Sequence, residues 1–237
     1  MTKGTLFLIP VPLAENAAQK SFTSFLGDTI NSISTYIVEN EKTARKFLKE
    51  AGLKIQQSEL LVHDYGKHKR GNSMVPYFKE LMTGKDVGLM SEAGCPGIAD
   101  PGAEIVAEAH KRGIRVVPLV GPSSILLALM ASGFNGQSFT FHGYLPIDKV
   151  ERAKRIKELE QLSQKSRQTQ LFIETPFRNN QLFEDILKNA SGNTQLCVAC
   201  NLTAEDEFVK TLPVGAWRKE RLDLHKKPTI FLLYKGS

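Results

Sequence analysis

The stretch Val87-Gly88-Leu89-Met90-Ser91-Glu92-Ala93-Gly94-Cys95-Pro96-Gly97-Ile98-Ala99-Asp100-Pro101 decides how this chain is read. Val87 to Met90 is an apolar strand that runs into a loop of small residues, and Asp100-Pro101 offers an N-cap and first helical residue for a segment ending at Gly113. Small residues at the carboxyl end of a parallel strand let backbone N–H groups approach a ligand closely. In open α/β sheets this is the edge where ligands bind. The loop therefore reads either as a cofactor site or as a tight strand-to-helix turn that binds nothing.

Upstream, Thr5 to Ile9 is a first buried strand, ended by Pro10 and Pro12, which remove backbone donors and stiffen the loop that follows. A helix is expected over 17–28, a strand over 34–38 ending at Glu39-Asn40-Glu41, and a helix from Thr43 to Ala51 stopped by Gly52. A short strand at 60–63 precedes a polar loop in which Lys67, His68, Lys69 and Arg70 cluster, readable as a solvated loop or an anion contact. A helix over 74–83, capped by Ser73, leads into the central strand. Downstream come a helix over 103–112 and a strand over 114–119. Strand and helix alternate throughout, which predicts an α/β domain with a mostly parallel sheet.

Ser123 and Ser124 then cap the run ILLALMAS, expected as a buried helix, and the domain boundary is set just before it. The expectation is two α/β domains, 1–120 and 121–237, the second with a mixed sheet. Its elements are strands at 138–144, 169–174, 194–200, 208–212 and 229–234. A charged helix over 149–164 carries Ile156, Leu159 and Leu162 on one stripe, a second helix spans 181–188, and the helices are expected on one face.

Composition narrows the function. The 237 residues are 41% hydrophobic and 24% charged, enough for real cores, and the formal net charge of +6 permits an anionic partner such as RNA. Three cysteines argue against a disulfide framework and for a reducing compartment. Cys197 and Cys200 fall on a strand, where residues three apart point to opposite faces, so a metal or redox pair is not expected. The opening TKGTLFLIPVPL lacks a signal-peptide pattern and no stretch reaches membrane-spanning length, so the expectation is a soluble cytoplasmic protein without membrane or metal. There is no G-x-x-x-x-G-K-[ST], no G-x-G-x-x-G after the first strand, and no H-E-x-x-H, so ATP and nicotinamide chemistry lack support.

What remains is a set of strand-end loops: PVPLAEN, ENEKTAR, SEAGCPGIADPG, VGPSS, ETPFR and NLT. All but the last fall where they can converge on one cleft between two domains. Such a cleft, offering backbone donors and few charges, suits a zwitterionic or cationic small ligand better than a triphosphate.

The run SEAGCPGIADPGAEIVAEAHKRGIRVVPLVGPSSILLALMASGF, continued by FHGYLPIDKVERAKRIKEL, closely resembles the tetrapyrrole methylase superfamily, the class III S-adenosylmethionine-dependent methyltransferases. Within it the chain is most similar to small-subunit ribosomal RNA methylases that modify a cytidine ribose 2′-hydroxyl. The match is dense from Val87 to Leu159 and recurs at FIETPFR, NLTAEDEFVKT and PTIFLL. The resemblance implies a homodimer of two-domain subunits with S-adenosyl-L-methionine as cofactor. It implies donor contacts from Pro12, Leu13, Ala93, Gly94, Cys95, Ile98, Ser123, Ser124, Thr175, Leu202 and Thr229.

This chain departs from the pattern chiefly in its first domain. PVPLAEN stands where those relatives carry G-T-P-I-G-N, and Glu39-Asn40-Glu41-Lys42 where they carry E-D-T-R. Glu92 and Phe177 replace an aspartate and a histidine. The expected function is methylation of ribosomal RNA. Methylation of a tetrapyrrole or other small metabolite, and non-catalytic donor binding in association with RNA or ribosome, are the alternatives.

A ribose hydroxyl acceptor needs its proton removed or its alkoxide stabilised. Glu39 and Arg45 are the catalytic candidates, though Glu39 also suits a helix-cap partner and Arg45 a surface residue. His142 reads better as a hydrogen-bonded core histidine than as a catalyst. Lys149, Arg152, Lys154, Arg155 and Lys157 suit either phosphate contact or a solvated helix face.

Overall fold

The computed structural model describes residues 2–66 and 74–236. The basic run Lys67 to Arg70 and the Ser73 cap lie outside the described residues. The chain divides into two compact units, residues 1–123 and 124–237.

The first unit alternates β1 (Thr5–Leu8), α1 (Ser24–Ser32), β2 (Thr35–Val38), α2 (Glu41–Glu50), β3 (Leu61–Asp64), α3 (Val75–Met82), β4 (Val87–Met90), α4 (Ala103–Lys111) and β5 (Arg115–Pro118). The sheet order is β3-β2-β4-β1-β5, with every neighbouring pair parallel. Such a sheet must be covered on both faces. Leu26, Ile30, Phe47 and Leu48 from α1 and α2 pack with Tyr36 and Met90 in one core. Phe78, Leu81, Ile105 and Ala109 from α3 and α4 pack with Leu6 and Val87 in the other. The central strand thus sits between β2 and β1 while the helix that follows it covers the opposite face from theirs. That crossing opens a crevice at the strands' carboxyl ends. Gly88 makes the close packing feasible, because a Cβ there would lie 2.6 Å from Ile9 Cδ1 and 2.8 Å from the Tyr36 ring.

Two local expectations are corrected. No continuous helix spans 17–28: a 3-10 turn at Ala18–Lys20 stops, and extended Thr23 caps α1 by accepting the Leu26 N–H at 3.1 Å. Asp100 and Pro101 do not start α4 either. The loop makes a further turn, closed by the Gly97 N–H on the Pro101 carbonyl at 3.2 Å, and Gly102 at φ 126° becomes the N-cap.

The second unit comprises α5 (Ser124–Ser132), β6 (Phe139–Tyr144), α6 (Lys149–Ser166), β7 (Thr169–Ile173), α7 (Asn179–Asn189), β8 (Gln195–Cys200), β9 (Phe208–Pro213), α8 (Val214–Trp217) and β10 (Thr229–Tyr234). Its mixed sheet runs β6-β7-β10-β8-β9, with only β6 and β7 parallel. Ile156, Leu159, Leu182, Phe183, Ile186 and Trp217 from α6, α7 and α8 cover one face. Not all helices gather there. α5 lies on the other face, its Ser132 carbonyl accepting from Thr211 at 2.9 Å, and it is half-exposed rather than buried, with Met130 79% exposed. Leu162 likewise leaves the apolar stripe of α6, and Ser163 takes the buried position.

Arg152 is not a phosphate ligand. It is buried, donates to Asp185 Oδ2 through Nε at 2.8 Å and through its terminal nitrogen at 2.6 Å, and reaches the Ile147 carbonyl at 2.8 Å. Glu160 makes a second polar bolt, accepting from the Ser191 N–H at 2.8 Å, the Ser191 hydroxyl at 2.9 Å and the Thr194 hydroxyl. Removing one partner of a buried ion pair leaves the other charge stranded. Asp185→Ala is therefore expected to cost about 3–5 kcal/mol of stability, read as a lower urea midpoint; a midpoint equal to the parent's would refute this role.

Candidate functional site

The carboxyl ends of β1, β4 and β5 meet in the first unit. Pro10 and Pro12 deny the loop after β1 regular pairing, yet Val11 between them exchanges two backbone hydrogen bonds with Gly94, at 2.9 and 2.8 Å. Gly94 is buried at φ +70°, and a Cβ there would stand 3.3 Å from Leu13 Cδ2 and 3.6 Å from the Pro122 carbonyl oxygen. The Cys95 thiol donates to that carbonyl at 3.4 Å. Burial pushes this thiol above its ordinary pKa, so it serves as a neutral donor and not as a nucleophile. Gly121 lies flat on Pro10, where a Cβ would sit 2.1 Å from Pro10 Cβ. Pro12, Leu13, Ala93, Gly94, Cys95 and Ser123 thus belong to one knot of three loops; Ile98 stands further along the central loop, 53% exposed.

Glu39, at the end of β2, reaches the same loop: its carboxylate accepts the Glu92 N–H at 3.2 Å. Arg45 does not join it. Its guanidinium donates to Glu41 at 2.8 Å and to Gln57, which ties α2 to the segment after it. Asp100, freed from capping, is the residue that the sequence pattern missed. Its carboxyl is pushed up to about 6 by burial and by the charges of Glu39 and Glu92, against a lowering hydrogen bond from Ser91. A carboxyl titrating there can take or give a proton near neutrality.

In the second unit, Thr175, Leu202 and Thr229 gather at one edge of the sheet, where β7 and β8 end and β10 begins. Thr229 is in register with Cys200, Ile230 with Ile173, and the Asn201 N–H donates to the Pro228 carbonyl at 2.9 Å. Asn201 and Thr203, at φ 50° and 71°, fold the chain around buried Leu202. Ser124 is the first residue of α5.

His142 is held on both ring nitrogens, by Gln170 at 2.7 Å and by Arg155 at 3.2 Å. A guanidinium only donates, so Nδ1 accepts and Nε2 carries the proton, and burial lowers its pKa. Lys149, Lys154 and Lys157 are exposed. Cys197 and Cys200 are buried on opposite faces of β8. Among the described residues no cluster of side chains could hold a metal, and no helix is long and apolar enough to cross a membrane.

The family model for tetrapyrrole (corrin/porphyrin) methylases matches residues 15–216. The chain is 30% identical to the "Ribosomal RNA small subunit methyltransferase I" of Vibrio cholerae over 98% of its own length and 77% of that protein. It is 31% identical to the protein of the same name from Bacillus subtilis, over 87% of this chain and 67% of the relative. Among solved structures, the methyltransferase CobJ superposes with a TM-score of 0.60 over 99% of this chain and 95% of that one, at 14% identity, which is a likeness of fold.

Because the folded pKa of Asp100 lies above its ordinary 3.8, the ionised form is the one the fold disfavours. Stability from this group is whole below the lower value and is lost as pH rises from 3.8 to about 6. Asp100→Asn should therefore melt higher than the parent at pH 7, with the advantage fading toward pH 4. An advantage that does not change across this range would contradict the assignment.

Proposed function

Because the chain belongs to the tetrapyrrole methylase family, we propose that it is an S-adenosylmethionine-dependent methyltransferase acting on ribosomal RNA, at a ribose 2′-hydroxyl. The observation that carries this reading is the Val11–Gly94 backbone bridge, which draws the strand-end loops of the first unit into one knot. Gly94 leaves there a cradle that a Cβ would fill, lined by Leu13 and the Pro122 carbonyl. Backbone groups and small apolar side chains fit an amino acid joined to a nucleoside better than they fit a polyphosphate.

In this reading Pro12, Leu13, Ala93, Gly94, Cys95, Ile98 and Ser123 bind the donor from the first unit. Ser124, Thr175, Leu202 and Thr229 are assigned to it from the second. When bound, S-adenosylmethionine supplies a methyl group on a sulfonium. The residues contribute mainly position, and well-oriented reactants gain up to about 7–11 kcal/mol of the barrier from orientation. Glu39, already fixed on the Glu92 N–H, is the carboxylate proposed to take the hydroxyl proton. With its guanidinium committed to Glu41 and Gln57, Arg45 contributes by anchoring α2, which starts two residues after Glu39. A homodimer in the cytoplasm completes the reading, supported by the exposed Leu126 and Met130 on α5 and by three free thiols.

Calorimetry with S-adenosylhomocysteine tests the donor site: the parent binds, and Gly94→Leu, which melts lower because its left-handed backbone and buried side chain are strained, loses the heat signal at a temperature where circular dichroism shows it still folded. Unchanged binding by Gly94→Leu refutes the cradle. Mass spectrometry of ribosomal RNA from a strain lacking the gene should reveal one missing ribose methylation, restored by the parent. Glu39→Gln should restore it roughly 10²–10⁴-fold more slowly. An RNA profile identical with and without the gene rules out this acceptor.

A further inference from the structure

Phe177 is 68% exposed just after β7, on a loop that packing holds in place. Its ring stands edge-on to the His225 ring, with centroids 5.9 Å apart at 74°, and Lys226 Nζ lies 5.9 Å from its centroid. Backbone stitches fix this arrangement. The Lys226 N–H donates to the Pro176 carbonyl at 3.0 Å, Asn179 Nδ2 to the Lys227 carbonyl at 2.7 Å, and the Leu224 N–H to Asn180 Oδ1 at 2.7 Å. A second ring, Tyr144, is 61% exposed at the end of β6, in register with Ile173 of the neighbouring β7. Arg178 follows Phe177 directly in the chain. One of its terminal nitrogens donates to Glu174 at 2.7 Å, while its Nε has no partner.

The acids nearby are already engaged. Glu174 is buried on Arg178 and on the Thr175 N–H. Asp223 accepts from Asn180 at 2.8 Å and from the His225 N–H at 3.0 Å, which holds its carboxyl below the ordinary range. The outward surface thus carries exposed rings with Arg178, His225 and Lys226, and one ionised carboxylate, Asp223, turned onto Asn180 and the His225 N–H. A single exposed phenylalanine is ordinary, but rings alternating with arginine and lysine are what unpaired bases and their phosphates use.

We infer that Tyr144, Phe177, Arg178, His225 and Lys226 form a stacking platform for unpaired bases of single-stranded RNA, with the phosphates met by Arg178 and Lys226. The platform rests on the ribosomal RNA reading and deepens it. Phe177 stands two residues beyond Thr175, a residue assigned above to the donor.

The test is fluorescence anisotropy with a labelled single-stranded RNA oligonucleotide of mixed sequence, with S-adenosylhomocysteine binding measured on the same samples. Phe177→Ala should weaken RNA binding roughly tenfold or more and leave S-adenosylhomocysteine binding unchanged, while Phe177→Tyr, which keeps a ring, should bind as the parent does. Lys226→Ala should flatten the salt dependence by about one unit of slope. Equal RNA affinity for the parent and Phe177→Ala overturns the platform and leaves the ribosomal RNA reading standing. A parent that binds S-adenosylhomocysteine but no RNA overturns both. An acidic peptide that outcompetes RNA and is lost with Phe177→Ala would make the surface a protein-docking site instead.

Discussion

Two hydrogen bonds between Val11 and Gly94 hold the loops at the carboxyl edge of the first unit's sheet in shape. They join the loops that leave β1 and β4, two neighbouring strands whose following helices lie on opposite faces of the sheet. At such a crevice nothing in the strand ladder dictates loop geometry, so the loops must be tied to one another. The tie requires a residue with a left-handed backbone and no side chain at 94, and it brings the β5 loop in through Cys95 and Gly121. A site made this way presents backbone groups and little charge, which matches a methyl donor and mismatches a nucleotide triphosphate.

Charge in this unit lies beside the knot. Glu39 braces the central loop, and Asp100 shares its surroundings at a raised pKa. The second unit repeats the pattern with different chemistry: a sheet edge of Thr175, Leu202 and Thr229, followed by rings and cations on Phe177, Arg178 and Lys226. Polar pairs that would be costly alone, Arg152 with Asp185 and Glu160 with Ser191 and Thr194, hold the helices that support this edge.

Much of this was legible in the chain itself. Short apolar runs such as Val87 to Met90, separated by amphipathic segments ending in glycine, have one good solution in an alternating α/β sheet. The small-residue loop after β4 marked the edge proposed to take the donor. What stayed hidden depends on distance. Arg152 looks like its neighbours on α6 until Asp185, 33 residues away, is placed beneath it. Asp100-Pro101 carries a good start signal for a helix, yet the tight turn closed on Gly97 moves the start to Gly102. An all-apolar α5 has no amphipathic stripe, so its sequence could not say that Leu126 and Met130 face outward. Phe177 and His225 meet only because two loops almost fifty residues apart are stitched together by their backbones.

The knot of loops tied by Val11 and Gly94 is the proposed seat of the methyl donor. A crystal structure of the protein with S-adenosylhomocysteine tests it most directly. The ligand should lie against Leu13 and the backbone of Ala93 to Cys95, with Gly94 keeping its positive φ. A ligand found away from this loop would contradict the account.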